Sequence, residues 1–157
     1  MFLPECMEKK MKYNKKQQGF TLLEVMVVVV ILGILASFVV PNLLGNKEKA
    51  DQQKAITDIV ALENALDMYK LDNSVYPTTD QGLDALVSRP TGSPEPRNYR
   101  GDGYIRRLPN DPWGNEYQYL SPGDNGNIDI FTLGADGQEG GEGAAADIGN
   151  WNLQDFQ

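Results

Sequence analysis

A single apolar block near the amino terminus constrains this chain more than any other feature. Residues 20–40 contain 17 apolar residues among 21, and the polar exceptions include Thr21 and Glu24. At 1.5 Å per residue, a helix of this length spans roughly 31 Å, which matches the apolar thickness of a bilayer. Such a block can form a secretory signal core, a membrane-spanning helix or a buried helix. Its length favours the membrane-spanning helix.

Charge on the two sides of the block predicts its orientation. Residues 1–19 hold five lysines and two acidic residues, whereas residues 41–157 hold nine basic and 19 acidic residues. Basic flanks stay on the cytoplasmic side of a membrane, so we expect a basic leader inside and an exported remainder. Met1, Met7 and Met11 are alternative start residues. The acidic remainder argues against nucleic acid as a partner, because phosphates require clustered positive charge.

The residue types that the chain lacks exclude several chemistries. It contains no histidine and a single cysteine, Cys6. A His or Cys zinc site, a disulfide within the chain and a Ser-His or Cys-His catalytic pair therefore lack their parts. Carboxylates are abundant, with 22 Asp and Glu residues. Metal binding is therefore expected only with oxygen ligands, and calcium is the first metal to consider.

Glu24 lies only four residues into the apolar block. A carboxylate inside a bilayer costs about 3 kcal/mol on insertion scales, so it needs either water or a positive partner. It can lie near the headgroups and reach the interface. Alternatively, it can pair with the α-amine that cleavage between Gly19 and Phe20 would create, within one subunit or between neighbours.

Beyond the block, the pattern predicts a long helix followed by a small sheet. An apolar stripe at helical spacing indicates that the helix continues to about Leu71 and ends at residues 72–73. Proline and glycine predict a kink or a locally melted stretch at residues 41–45. Thr78 or Thr79 is expected to cap a short helix through Leu86. The stripe consists of Ala55, Ile59, Leu62, Leu66 and Tyr69.

Two short runs downstream read as an antiparallel hairpin. Residues 117–120 and 128–133 are rich in aromatic and β-branched residues and are separated by turn residues. Because side chains alternate along a strand, Tyr117 and Tyr119 are expected to share one face, against the long helix.

The tail from Gly134 is dominated by glycine and acidic residues and is either a flexible loop or a loop organised by a cation. Asp136 and Asp147 are 11 residues apart with Gly141 between them, at the first, last and sixth positions of a twelve-residue calcium loop. The match is partial, because Gln138 and Gly140 stand where acidic residues are usual. We therefore do not interpret the tail as an EF-hand.

The segment GFTLLEVMVVVVILGILASFVVPNLLG resembles the start of type IV pilin superfamily members. The later segments YIRRLPNDPWGNEYQYLSPG and LGADGQEGGEGAAADIGNW are similar to major pseudopilins of type II secretion. The resemblance implies an α+β, type IV pilin-like fold, with a long N-terminal helix packed on a small C-terminal antiparallel sheet with a calcium loop. It also implies three segments: a cleaved leader (1–19), a transmembrane and filament-core helix (20–41) and a periplasmic domain (42–157).

The same resemblance implies roles for particular residues. Prepilin peptidase would cleave between Gly19 and Phe20 and N-methylate Phe20, and Glu24 would pair with the Phe20 amine of a neighbouring subunit during assembly. Calcium would be held in the C-terminal loop, with Glu142 or Glu139 as alternative further ligands. The other implied ligands are the backbone carbonyl of Leu133, the side chains of Asp136 and Asp147, and a carbonyl of Gln138.

The implied function is that of a structural subunit, not an enzyme. It would polymerise into a periplasmic pseudopilus that drives folded proteins across the outer membrane. The implied partners are other copies of the chain, minor pseudopilins, the inner-membrane assembly platform with its cytoplasmic ATPase, and indirectly the outer-membrane secretin. The implied location is the bacterial inner membrane, crossed once. A type IV pilus subunit for adhesion or DNA uptake is the alternative, although the absence of cysteine after residue 19 favours the pseudopilin. An anchored calcium-binding enzyme is a more distant alternative.

Overall fold

The computed structural model describes residues 19–156, except for the side chains of residues 38–44. The rest of the predicted leader, including Cys6 and the alternative start residues, lies outside the described residues. The chain divides into two compact units, Met1–Pro41 and Asn42–Gln157.

One long helix, α1, extends from Leu22 to Asn73 and contains 52 residues. It ends where the sequence predicted. It is continuous through Pro41 and Gly45, so of the two alternatives expected there, a kink or a melted stretch, the melted stretch does not form. A proline removes one donor from the hydrogen-bond ladder, and here that loss does not end the helix.

In the unit Asn42–Gln157, α1 contributes one side of the hydrophobic core. All five residues of the predicted stripe are at most 1% exposed. They belong to one core with residues of the sheet and of a short 3-10 helix, Leu83–Leu86. Tyr117 and Tyr119 lie in this core, as their shared face predicted.

The sheet has three antiparallel strands in the order β1 (Gln118–Leu120), β2 (Asp129–Thr132) and β3 (Ile148–Gly149). The predicted hairpin is confirmed as β1 and β2, with Tyr119 opposite Ile130. The third strand was not predicted. It comes from the glycine-rich tail, which returns to pair with β2.

The predicted cap of the short helix is only partly right. The residue preceding Leu83–Leu86 is Gly82, and no side chain caps that helix. The Thr78 hydroxyl instead accepts the amide of Gln81 at 3.2 Å, one turn earlier. Gly82 adopts a φ of 60°, which glycine reaches at low cost.

The large apolar side chains between Phe20 and Leu35 are exposed. Their exposed fractions are 49–84%. Among the residues that the structure describes, no helix is both long and apolar enough to cross a membrane.

Candidate functional sites

The predicted processing junction lies immediately before the long helix. Gly19 and Phe20 belong to no helix or strand, and both are exposed. Helix α1 begins two residues after Phe20. Because a peptidase needs its substrate backbone extended and accessible, this placement is compatible with cleavage between the two residues.

Thr21 caps α1 and fixes the backbone of Glu24. The Thr21 hydroxyl accepts the Glu24 amide at 3.2 Å, and the Thr21 carbonyl accepts the Val25 amide at 3.3 Å. Thr21 and Glu24 have the spacing of a capping box, and the half of it that forms here, the Glu24 amide to the Thr21 hydroxyl, satisfies one donor that the first turn leaves free. Prediction from the sequence missed this role of Thr21, although the pattern Thr-x-x-Glu before an apolar run carries the signal.

The carboxylate of Glu24 has no partner within the described part of this single chain. Glu24 is exposed, and none of the ion pairs or side-chain hydrogen bonds found among residues 19–156 involves its carboxylate oxygens. A negative charge in the first turn is favoured by the helix dipole, but that interaction leaves the carboxylate oxygens available. Glu24 can therefore accept a partner from outside the chain.

The C-terminal loop between β2 and β3 has a defined backbone path. The Ala135 amide donates to the Ala144 carbonyl at 2.8 Å, which closes the loop. Gly134 and Gly141 have φ values of 67° and 96°. A Cβ on Gly141 would lie 2.5 Å from the Ala145 carbonyl oxygen, so this close approach requires glycine.

The two aspartates predicted as ligands lie at opposite ends of this loop. Asp136 is exposed, and its Oδ1 accepts the Gln138 amide at 3.1 Å. The Oδ2 of Asp147 accepts the Gly140 amide at 2.8 Å. The Oδ1 of Asp147 is buried and has no hydrogen-bond partner.

The unpartnered Oδ1 of Asp147 tests whether the loop residues fit a calcium ion. A buried carboxylate oxygen without a partner is costly, and a cation would relieve that cost. Across residues 19–156, no three acidic, histidine or cysteine side chains are close enough together to hold a metal. The donor set therefore fits calcium only if backbone carbonyls complete it, and calcium accepts such ligands readily.

The other predicted calcium ligands lie at the start of the loop or on its exposed surface. Leu133 is half-buried directly after β2, which leaves its carbonyl at the start of the loop. Glu139 and Glu142 are exposed. Glu142 occupies the N-cap position of the short 3-10 helix Gly143–Ala145, but its side chain makes no capping hydrogen bond.

Two further contacts hold the loop on the rest of this unit. The Gln52 side chain on α1 donates to the Gly143 carbonyl at 3.0 Å. The Asn150 side chain accepts the Ile130 amide at 3.1 Å and donates to the Ile128 carbonyl at 3.1 Å. Sequence patterns missed both residues, because a polar residue that binds a distant backbone has no local signature.

Comparison with known proteins agrees with this architecture. The family model "Type II secretion system (T2SS), protein G" matches residues 42–151, and the model "Prokaryotic N-terminal methylation motif" matches residues 14–40. The chain is 86% identical to type II secretion system core protein G of Vibrio cholerae serotype O1 over 94% of this chain and all of that protein. It is 74% identical to the Aeromonas hydrophila core protein G, over 92% of this chain and 99% of that protein.

A solved structure gives the same result at the level of the fold. The major pseudopilin from the type 2 secretion system of enterohaemorrhagic Escherichia coli matches with a TM-score of 0.64 and 66% identity. The match covers 73% of this chain and 97% of that chain. The chain has the long helix and small antiparallel sheet of that fold, and it belongs to the type II secretion system protein G family, the pseudopilins.

Proposed function

We propose that this pseudopilin is processed between Gly19 and Phe20, anchored in the inner membrane by residues 20–41, and polymerised into a periplasmic pseudopilus. The filament drives folded proteins across the outer membrane, and the chain itself performs no catalysis. The observation that carries the proposal is the match to an N-terminal methylation motif over residues 14–40, directly ahead of the protein G match that starts at residue 42. The accessible junction at Gly19 supports the processing step.

Membrane anchoring follows from the chemistry of the first unit. The large apolar side chains between Phe20 and Leu35 are about half or more exposed in the single chain. Exposed apolar surface of this extent is unfavourable in water, so it requires either lipid or neighbouring subunits. Lipid covers it before assembly, and the corresponding segments of other copies cover it in the filament.

Glu24 favours movement of the subunit from the bilayer into the filament. In the bilayer its carboxylate costs free energy, whereas the α-amine of a neighbouring Phe20 can neutralise it within the filament. Thr21 fixes the backbone of the first turn, which limits the positions that the Glu24 side chain can reach. The pair sets the axial register of the incoming subunit and contributes to its extraction from the membrane.

A calcium ion would suit the acidic C-terminal loop. The carboxylates of Asp136 and Asp147 and the carbonyls of Leu133 and Gln138 would hold it, with Glu142 or Glu139 as an additional ligand. When bound, calcium supplies positive charge that compensates the acidic loop. Asp147 offers its unpartnered Oδ1, and the Gly140 amide orients its other oxygen.

The partners follow from this role. Prepilin peptidase removes the leader and methylates Phe20, the assembly platform and its cytoplasmic ATPase extend the filament, and minor pseudopilins join it. The outer-membrane secretin receives the exported protein. The acidic unit 42–157 is not suited to bind nucleic acid, since clustered basic residues are needed for that.

Mass spectrometry and complementation test this function together. The mature protein should begin at an N-methylated Phe20. A strain that lacks its own core protein G should regain release of exported proteins when it makes this chain. A Gly19→Leu variant that stays uncleaved and restores nothing supports the order of events. An intact leader on the functional wild-type protein would refute the processing step, and correctly processed protein that restores no secretion would refute the secretion role.

A further inference from the structure

Strand β1 lies at an edge of the sheet. It pairs with β2 on one side, and β3 pairs with β2 on the opposite side. An edge strand carries main-chain donors and acceptors that its own sheet does not use, and these can pair with another extended chain.

The hydrogen bonds of β2 show which β1 residue faces outward. The main-chain amide of Ile130 donates to the side-chain oxygen Oδ1 of Asn150 at 3.1 Å. The main-chain carbonyl of Ile130 accepts the main-chain amide of Asn150 at 3.0 Å. Both main-chain groups of Ile130 therefore point away from β1. Tyr119 is directly opposite Ile130, so these two residues form a non-hydrogen-bonded pair. The amide and carbonyl of Tyr119 consequently point away from the sheet.

The next outward-facing residue supports this assignment. The Ser121 amide donates to Thr79 Oγ1 at 2.9 Å, and the Thr79 hydroxyl donates to the Ser121 carbonyl at 3.2 Å. Ser121 is two residues after Tyr119, so its main chain faces the same edge. Thr79 occupies that position with a side chain. Among residues 19–156, none has a hydrogen bond to the outward main-chain groups of Tyr119.

A cleft of about 270 Å³ lies at this edge. Its lining includes Tyr119 and Thr79. Thr79 lies at one end of the open part of the edge, where it binds the main chain of Ser121. At the other end, Asn110 pairs with Glu116 as an isolated antiparallel bridge. The edge is thus covered on both sides of Tyr119 and open at Tyr119 itself, which leaves room for two or three residues of an extended chain.

The charges of the cleft indicate what kind of segment fits. The lining includes the carboxylates of Asp84 and Glu116, both on exposed residues, and it includes no basic side chain. An extended peptide with basic residues beside its pairing residues would be complementary in both hydrogen bonding and charge.

We propose that this cleft, the β1 edge cleft, binds a short extended segment with basic residues from a different protein. The basic stretch of the unit 42–157, residues 97–107, is held on that unit, because Arg100 donates to Asp72 at 2.6 Å and Tyr104 packs against the core. That stretch continues directly into the segment that lines the cleft. A second copy is therefore not the occupant. This binding site goes beyond the role of the chain as a filament subunit.

A defined peptide tests the site on the full-length protein in detergent micelles. The probe is acetyl-Arg-Val-Thr-Val-Arg-amide. Its control is the same peptide with N-methyl groups on the three central residues, which removes every central donor and blocks strand pairing. With the probe at saturation, we expect the Tyr119 amide to exchange with solvent about tenfold more slowly. The N-methylated peptide should have no such effect.

Matched charge variants provide the second arm. Asp84→Lys with Glu116→Lys should weaken binding of the probe about tenfold. Asp155→Lys, at an exposed aspartate of the 3-10 helix Leu153–Phe156, which does not line the cleft, should leave it unchanged. The proposal is wrong if the N-methylated peptide binds equally well or if Tyr119 exchange does not respond to the probe. It is also wrong if Tyr119 is protected by raising the protein concentration alone, since a second copy would then be the occupant.

Discussion

The Thr21 hydroxyl accepts the backbone amide of Glu24 at 3.2 Å, which joins the cap of the long helix to the acidic residue that we place in filament assembly. Glu24 is the third residue of the helix, so its backbone position depends on where the helix begins. If the first turn frayed, Glu24 would lose its helical backbone conformation and its fixed position around the helix axis. The cap therefore fixes the direction in which the carboxylate is presented.

Replacing Thr21 with valine should loosen this first turn. Valine keeps the shape of threonine but lacks the accepting oxygen, and loss of an N-cap costs about 1 kcal/mol. Amide exchange of Glu24 in micelles should become about fivefold faster, while amides near Tyr69 remain unchanged. Thr21→Ser retains the oxygen and should behave as wild type. Equal exchange in the valine and serine variants would mean that the hydroxyl does not cap the helix.

Removing calcium should destabilise the C-terminal loop. Binding to the folded state alone contributes about 2.7 kcal/mol at a hundredfold excess over Kd. We expect the melting temperature to fall when a chelator replaces calcium. Asp147→Asn should abolish this difference, and Asp155→Asn, at an exposed aspartate outside the loop, serves as the matched control. Identical wild-type melting curves with calcium and with chelator would contradict the site.

Alanine substitutions at two adjacent glycines of this loop distinguish the cost of backbone strain from the cost of a steric clash. Gly140 and Gly141 have φ values of 90° and 96°, so alanine is strained at either position. At Gly140 an added Cβ has no neighbour within 4 Å, whereas at Gly141 it would lie 2.5 Å from the Ala145 carbonyl oxygen. Gly141→Ala should therefore lower the free energy of unfolding by at least about 1 kcal/mol more than Gly140→Ala. Denaturant titration measures both, and equal losses would argue against the close approach.

The core could be predicted from sequence where the pattern is periodic. The stripe from Ala55 to Tyr69 repeats at helical spacing, and the hairpin alternates over enough residues to show its buried face. Strand β3 has only Ile148 and Gly149, which is too short for any periodic signal. Its position depends on Asn150, whose side chain bonds to main-chain groups some twenty residues away.

The parts of the candidate sites that could be predicted are those with a local signal in the sequence. The acidic residue in an apolar block is locally unusual, so Glu24 stands out from composition alone. The spacing of Asp136 and Asp147 is also visible in the chain. The unpartnered oxygen of Asp147 and the contact between Gln52 and Gly143 depend on the folded path of the loop. No residue pattern within the loop specifies them.

Alkaline pH should destabilise the unit 42–157 through its buried tyrosines. Burial raises the pKa of Tyr119 to about 12, from 10.0. The folded state therefore keeps this proton at a pH where the unfolded chain has released it. The resulting stability is complete below pH 10 and is lost as the pH rises from about 10 to 12.

Denaturant titrations at several pH values measure this loss. The free energy of unfolding should fall by about 3 kcal/mol from this group alone, since the shift is about two pKa units and each corresponds to 1.36 kcal/mol. Tyr119→Phe should be less stable at pH 7, because it loses the hydrogen bond to the Pro77 carbonyl, but its stability should fall less steeply above pH 10. A variant with the same alkaline slope as wild type would show that Tyr119 is not the titrating group.

Filament yield from a Glu24→Ala variant measures most directly whether pairing of Glu24 with the Phe20 amine drives assembly. Cells that make either wild type or variant are sheared, and the pelleted filament is quantified beside the mature protein left in the membrane. Glu24→Ala should be cleaved after Gly19 and accumulate in the membrane, while filament yield should fall at least about tenfold. If Glu24→Ala is processed and forms filaments in wild-type amounts, pairing of Glu24 with the Phe20 amine does not drive assembly.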